Sequence, residues 1–188
     1  VSELALNFGA SGDRRDKTGT LWLGYPRPNG SLVLHFSVET GFYPKGSSVQ
    51  RNSAYTPVAG TDSPWLFATA ASGLKKCVLP LLGNADGTAK YRVALAFADP
   101  DNDQPGQRVF DIKLQGEVVA KNFDVVKACG GRDRAHVVEF SDILVTNKLV
   151  IELVSKTPNA ALRTCRSCKA SRSTARRLSA WAAPFLTW

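Results

Sequence analysis

The sequence predicts an all-β fold, a sandwich or barrel of short strands. Three observations carry this. Short runs rich in Val, Leu, Phe or Trp recur along the chain, each bounded by Gly, Pro, Asn, Asp or Ser. No window holds a 3.6-residue apolar period for three turns. The 15 Gly and 10 Pro fall mostly between the runs. Many short strands separated by turn signals point to a sandwich or barrel.

The runs are Glu3–Phe8, Thr20–Leu23, Ser31–Phe36, Trp65–Thr69, Leu74–Leu79, Lys90–Phe97, Arg108–Leu114, His136–Leu144 and Lys148–Val154. Tyr91, Val93, Leu95 and Phe97 alternate along one run, and Phe110, Ile112 and Leu114 along another. Leu149, Ile151 and Leu153 do the same in the last clear run, with Glu152 on the opposite face. Side chains two apart share a face of a strand, so these ten residues are predicted inside. Gln115-Gly116 is a plausible tight turn into a further strand. No internal repeat is present.

At 188 residues the chain suits one domain with a sizeable core. Its 44% hydrophobic and 21% charged residues are ordinary for a globular protein. No apolar stretch approaches the ~20 residues needed to span a bilayer. The chain begins at Val1, without Met or a signal peptide, and is read as a fragment of a longer protein or a processed form.

The net charge of +8 invites a nucleic-acid reading, but it is concentrated at one end. After Glu152 there is no acidic residue, while Lys156, Arg163, Arg166, Lys169, Arg172, Arg176 and Arg177 are basic. With those seven set aside from 24, 17 basic residues stand against 16 acidic ones, a nearly neutral body. A nucleic-acid-binding fold shows its basic stripe on the folded surface, so no nucleic-acid partner is expected.

Catalytic signatures are scarce. His35 and His136 are the two histidines, and both sit in strand-like runs. There is no G-x-S-x-G elbow, H-E-x-x-H helix or phosphate-cradling G-x-x-x-x-G-K-S/T loop. Paired carboxylates from distant strands would escape a sequence reading, yet nothing singles out a pair. No catalytic residue, metal or cofactor is assigned. The acidic run Asp99–Asp103 lacks the Gly and distant Glu of an EF-hand loop and reads as a solvated turn. Cys77 and Cys129 lie in the body; a bridge between them stays open, because spacing alone cannot decide it. Cys165 and Cys168 form a lone C-x-x-C, short of the four ligands zinc takes.

An ordered set within residues 90–124 resembles the malectin-type carbohydrate-binding domain. That family's signature runs Y-x-V-x-L-x-F-A-E, a loop, R-V-F-D-V-x-L-x-G and a later F-D. Here Tyr91–Asp99, Arg108–Gly116 and Phe123–Asp124 stand at those places, and Gly19–Pro26 matches the family's G-T-x-W-x-x-Y-P block. The resemblance implies a jelly-roll-like antiparallel β-sandwich of the malectin or galactose-binding type. It implies a non-catalytic accessory module of a larger exported or cell-surface protein, placed outside the cell, in the periplasm or at the surface. Its partners would be an oligosaccharide or glycan and other domains of the parent. The alternative is a module of the same fold that packs on a neighbouring domain and binds no sugar.

Sugar binding needs aromatic faces for C–H-rich rings and fixed polar groups for hydroxyls. Trp22, Tyr25, Tyr43, Tyr55 and Trp65 can supply the first, and Asp99, Asp101 and Asn102 the second. The competing reading makes these aromatics core or loop anchors. Two adjacent aromatics follow F-A-E in the family and help form its sugar platform. Asp101 and Asn102 occupy those positions here, so that part of the platform is missing. Asp111 and Asp124, in the family's F-D pairs, are expected to be architectural.

The body is therefore set at residues 1–158, with 159–188 an irregular basic tail. The family closes with one more core strand, P-I-L-x-G-I-E-V, where this stretch begins. Thr164–Arg176 can be encoded by codons that, read one frame over, give V-P-I-L-Q-G-I-E-V-H-R-E. This motivates the expectation of a frameshift near Ala160–Thr164. The closing strand is then expected to be lost, leaving Lys148–Val154 or its neighbour as an open edge.

Overall fold

The computed structural model describes residues 1–26, 38–52, 54–55, 57–156 and 164–173. Among them are eleven strands and two short helices. In chain order these are β1 (Glu3–Phe8), β2 (Arg14–Arg15), β3 (Leu21–Tyr25), β4 (Glu39–Gln50), α1 (Trp65–Ala68), β5 (Thr69–Pro80) and β6 (Ala89–Phe97). Then follow β7 (Val109–Leu114), β8 (Glu117–Asp124), α2 (Val125–Cys129), β9 (His136–Val145), β10 (Lys148–Ser155) and β11 (Thr164–Arg172).

The strands form two groups joined where β11 meets β5. One group runs β2-β3-β1-β11-β6-β9 and the other β4-β5-β10-β7-β8. Pairing is antiparallel except between β1 and β3, which run parallel. The core lies between the two groups. It packs Leu4, Leu6 and Phe8 of β1 and Tyr91, Val93, Leu95 and Phe97 of β6 with Phe110, Ile112 and Leu114 of β7 and Leu149, Ile151 and Leu153 of β10. All ten residues expected inside from alternation are at most 2% exposed. Gln115 and Gly116 join β7 to β8 at positive φ, +54° and +86°, as a tight hairpin turn demands.

Phe97, Phe110 and Phe123 form a ring cluster with centroids 5.1–5.6 Å apart, binding the two groups together. Replacing Phe110, fully buried at its centre, with Ala should destabilise the domain by about 3–5 kcal/mol. Urea denaturation checks this; a loss under 1 kcal/mol would show that the site collapses without penalty.

Three expectations are corrected. Trp65–Thr69 was expected as a strand, but Trp65–Ala68 is a helical turn. Pro64 sets the helical φ at its start, Leu66 N–H donates to Ser63 O, and Phe67 N–H donates to Pro64 O. The stretch from residue 159 was expected to be irregular, yet within it Thr164–Arg172 is an inner strand hydrogen-bonded to β1, β5 and β6, while residues 159–163 and 174–188 lie outside the described residues. Its register shifts between Cys165 and Ser167, which puts Cys165, Cys168 and Ala170 all in the core. Nor is Lys148–Val154 an open edge, since β10 is paired with β5 and β7. As written, this segment stands in the place of the family's closing strand. The expected strand Ser31–Phe36, with His35, lies outside the described residues.

The four cysteines are buried free thiols, so the open question of a Cys77–Cys129 bridge closes against it. Burial pushes the Cys77 thiol up to about 12. Burial, aided by the Asp99 charge, takes Cys129 to about 11. Burial also raises Cys165 and Cys168, so this C-x-x-C is core packing rather than a reactive pair.

Candidate loop-end site

Three connections meet at one end of the sandwich: residues 51–60 after β4, 98–108 between β6 and β7, and 130–135 after α2. Backbone bonds knit them together. Ala59 N–H donates to Asp133 O at 2.9 Å, Ala135 N–H to Ala59 O at 2.8 Å, and Asp133 N–H to Asp99 O at 2.8 Å.

A ladder of charges runs through this end. Asp99, fully buried, pairs with buried Arg108 at 2.9 Å. Its Oδ1 also accepts the N–H groups of Asp101 and Asn102, and its Oδ2 accepts the Asn102 side-chain amide at 2.9 Å. Arg108 reaches on to Asp101 at 3.2 Å, and Asp101 meets Arg51 at 3.3 Å. Beneath the ladder Arg166 of β11 is 2% exposed and donates to Ala98 O and Thr69 O. Burial, followed by the neighbouring Arg51 and Arg108 charges, lowers its pKa to about 10.

The acidic loop is therefore a pre-set polar scaffold. Asp99 is committed to it and has no exposed surface for a ligand, whereas the Asp101 side chain is 47% exposed. Asp111 and Asp124 are architectural. Asp111 accepts Asn122 N–H and pairs with Lys156, and those contacts hold its carboxyl below the usual value. Asp124 caps α2 through Lys127 N–H and accepts Gly106 N–H.

The five aromatic candidates do not converge. Tyr55, 85% exposed, stands in the same connection as Arg51, which contacts Asp101. Tyr25 packs edge-on to Phe8 and donates to Val38 O at 2.9 Å. Tyr43 lies under Lys75, and its hydroxyl donates to Leu153 O. Trp65 carries Arg14 over its ring at 4.7 Å. Trp22 is buried on the outer face of β3. Of the eight candidates, Tyr55, Asp99, Asp101 and Asn102 belong to this end. The reading by residue type missed Arg51, Arg108 and Arg166; only Arg108, first residue of R-V-F-D, carried a motif signal.

The family profile of the Malectin domain matches residues 5–166. Among solved structures, Bacteroides uniformis beta-glucuronidase aligns at 23% identity and a TM-score of 0.64, over 92% of this chain and 18% of that one. The plant receptor-like kinase ANX2 aligns at 14% identity and a TM-score of 0.66, over 92% of this chain and 48% of that one. The ANXUR1 extracellular domain from Arabidopsis thaliana aligns at 13% identity and a TM-score of 0.64, over 91% and 48%. At these identities the likeness is one of fold. The chain spans about a fifth of the glucuronidase and about half of the receptor ectodomains. No curated protein sequence matches.

Proposed function

Because the chain belongs to the malectin domain family, we propose that it is a non-catalytic carbohydrate-binding accessory module of a larger exported or cell-surface protein. The observation that carries this is the loop end. A rigid ladder of Asp99, Arg108, Asp101 and Arg51 presents a half-exposed carboxylate, and an exposed Tyr55 ring stands in the adjoining connection. Fixed polar groups with an aromatic face nearby are what sugar recognition requires. Loops at one end of a rigid sandwich are a usual place for such sites.

The comparisons support a module rather than a whole enzyme, since the chain corresponds to only 18% of the glucuronidase. The extracellular ectodomains among its structural neighbours support placement outside the cytoplasm. No helix among the described residues is long and apolar enough to cross a membrane. The basic end adds little to a nucleic-acid reading: Arg166 is buried, and Lys169 pairs with Glu3 at 3.1 Å.

A glycan array followed by calorimetry tests the proposal. At least one oligosaccharide should bind, and Tyr55→Ala should weaken it at least tenfold, about 1.4 kcal/mol, with the melting temperature unchanged. Tyr25→Ala should act on stability instead, because that ring and hydroxyl are already engaged. An array without a hit would favour a structural module packed on a neighbouring domain.

A further inference from the structure

The outer face of the first strand group carries a cavity of about 310 Å³ that borders the loop end at Gly60 and Ala135 but is lined by none of the ladder residues Arg51, Asp99, Asp101 and Arg108. Its floor is the outward side of β6 and β11, where Ala94, Ala96 and Ser167 leave room above the sheet. Residues 60–63, Leu66, Phe67 and Trp22 form the walls, with Ala135 and Val137 beside them. Ser167 is 1% exposed, and its Oγ is the buried side-chain polar atom that finds no hydrogen-bond partner among the described residues. A hydroxyl offers one donor and two acceptor sites, and leaving all of them unmet in a buried place is unfavourable.

Trp22 is a fixed wall. Its indole N–H donates to Asp16 Oδ2 at 2.8 Å. Burial opposes ionisation of Asp16. Bonds from the Thr18 side chain, the Trp22 indole and the backbone N–H groups of Thr18 and Thr20 outweigh it and hold the carboxyl below its usual value. Asp62 and Glu139 also line the cavity, whereas the Lys169 amine is engaged by Glu3 at 3.1 Å and Thr20 at 2.8 Å. Glu139 thus disfavours an anionic ligand and both carboxylates suit hydroxyl donors, while Arg14, Arg15 and Lys17 stand on the other side of Asp62.

We propose that this cavity binds a single neutral sugar ring, its apolar face against Trp22 and Phe67 and a hydroxyl on Ser167 Oγ. The inference takes the class of ligand from the function proposed above, but its contact residues Trp22, Phe67 and Ser167 are not those of the ladder. Titration of the full chain with methyl glycosides of glucose, galactose and xylose, followed by amide NMR, tests it. Methyl glucuronoside serves as the anionic probe.

A neutral glycoside should shift the amides of Ala96, Val137 and Ser167, and the glucuronoside should not. Ser167→Ala should weaken that binding at least tenfold while the melting temperature holds or rises, which a purely structural hydroxyl would not produce. Ala96→Leu, which fills the cavity, should abolish it. Shifts at the cavity without shifts at residues 51–55 and 99–102 would support this inference and count against the loop-end site. Shifts confined to the loop end, no shifts with any probe, or binding untouched by Ser167→Ala would overturn it.

Discussion

A chain cut after Lys156, which lacks β11, is expected to show no cooperative thermal transition and poor NMR dispersion. From Ser167 to Ser171 this strand is hydrogen-bonded to β1 on one side and β6 on the other, and Cys165 is paired with both β5 and β6. Removing it opens two facing strand edges in the middle of the sheet and uncovers Leu4, Leu6 and Phe8. Total stabilities of single domains are about 5–15 kcal/mol, too small to absorb the loss of an inner strand. A cooperative melt within a few degrees of the full chain would contradict this placement. Writing VPILQGIEV over Thr164–Arg172 gives a milder test of the same strand. It removes buried Arg166 and the unpartnered Ser167 hydroxyl. A higher melting temperature is what the out-of-frame reading requires, and an unchanged one would mark TCRSCKASR as the strand's own sequence.

Asp99→Ala should cost about 3–5 kcal/mol, because it leaves the buried Arg108 guanidinium without its closest carboxylate. The same carboxylate holds two backbone N–H groups and the Asn102 amide, so the 99–102 turn loses its organising centre as well. Asp101→Ala keeps the buried pair and removes a half-exposed partner, so its effect on stability should be about 1 kcal/mol. Denaturant midpoints of the two variants separate the roles. Equal losses would mean that the ladder works as one unit through Asp101.

Much of the fold was legible in the sequence where one face of a strand is apolar. β6, β7 and β10 follow from alternation alone, and Gln115-Gly116 announces their hairpin neighbour β8. The polar strands were hidden. β4 alternates weakly because it is mostly exposed, and it bulges between Phe42 and Ser47. β11 hides its apolar row behind an extra residue: the register shift at Arg166 breaks the period of two, and the guanidinium is met by two carbonyls rather than by water. Trp65–Ala68 misled because a single buried helical turn has too few residues to show a period.

The candidate site was legible by motif and not by composition. Asp99 and Arg108 stand at motif positions, and they prove to be the frame of the loop end. Aromatic residue type predicted poorly which rings are free. Tyr25 and Tyr43 use their hydroxyls on backbone carbonyls, and Trp22 uses its indole on Asp16. Tyr55, between turn-forming residues Asn52 and Pro57, is the candidate ring left most in solvent.

Hydrogen–deuterium exchange of the full chain, with and without the strongest glycan from the array, tests the central claim most directly. The account predicts that slowed exchange centres on the peptides covering residues 50–55 and 99–104, with no sugar released from the glycan. Bound glycan with no protection at those peptides, or turnover of the glycan by the isolated chain, would contradict it.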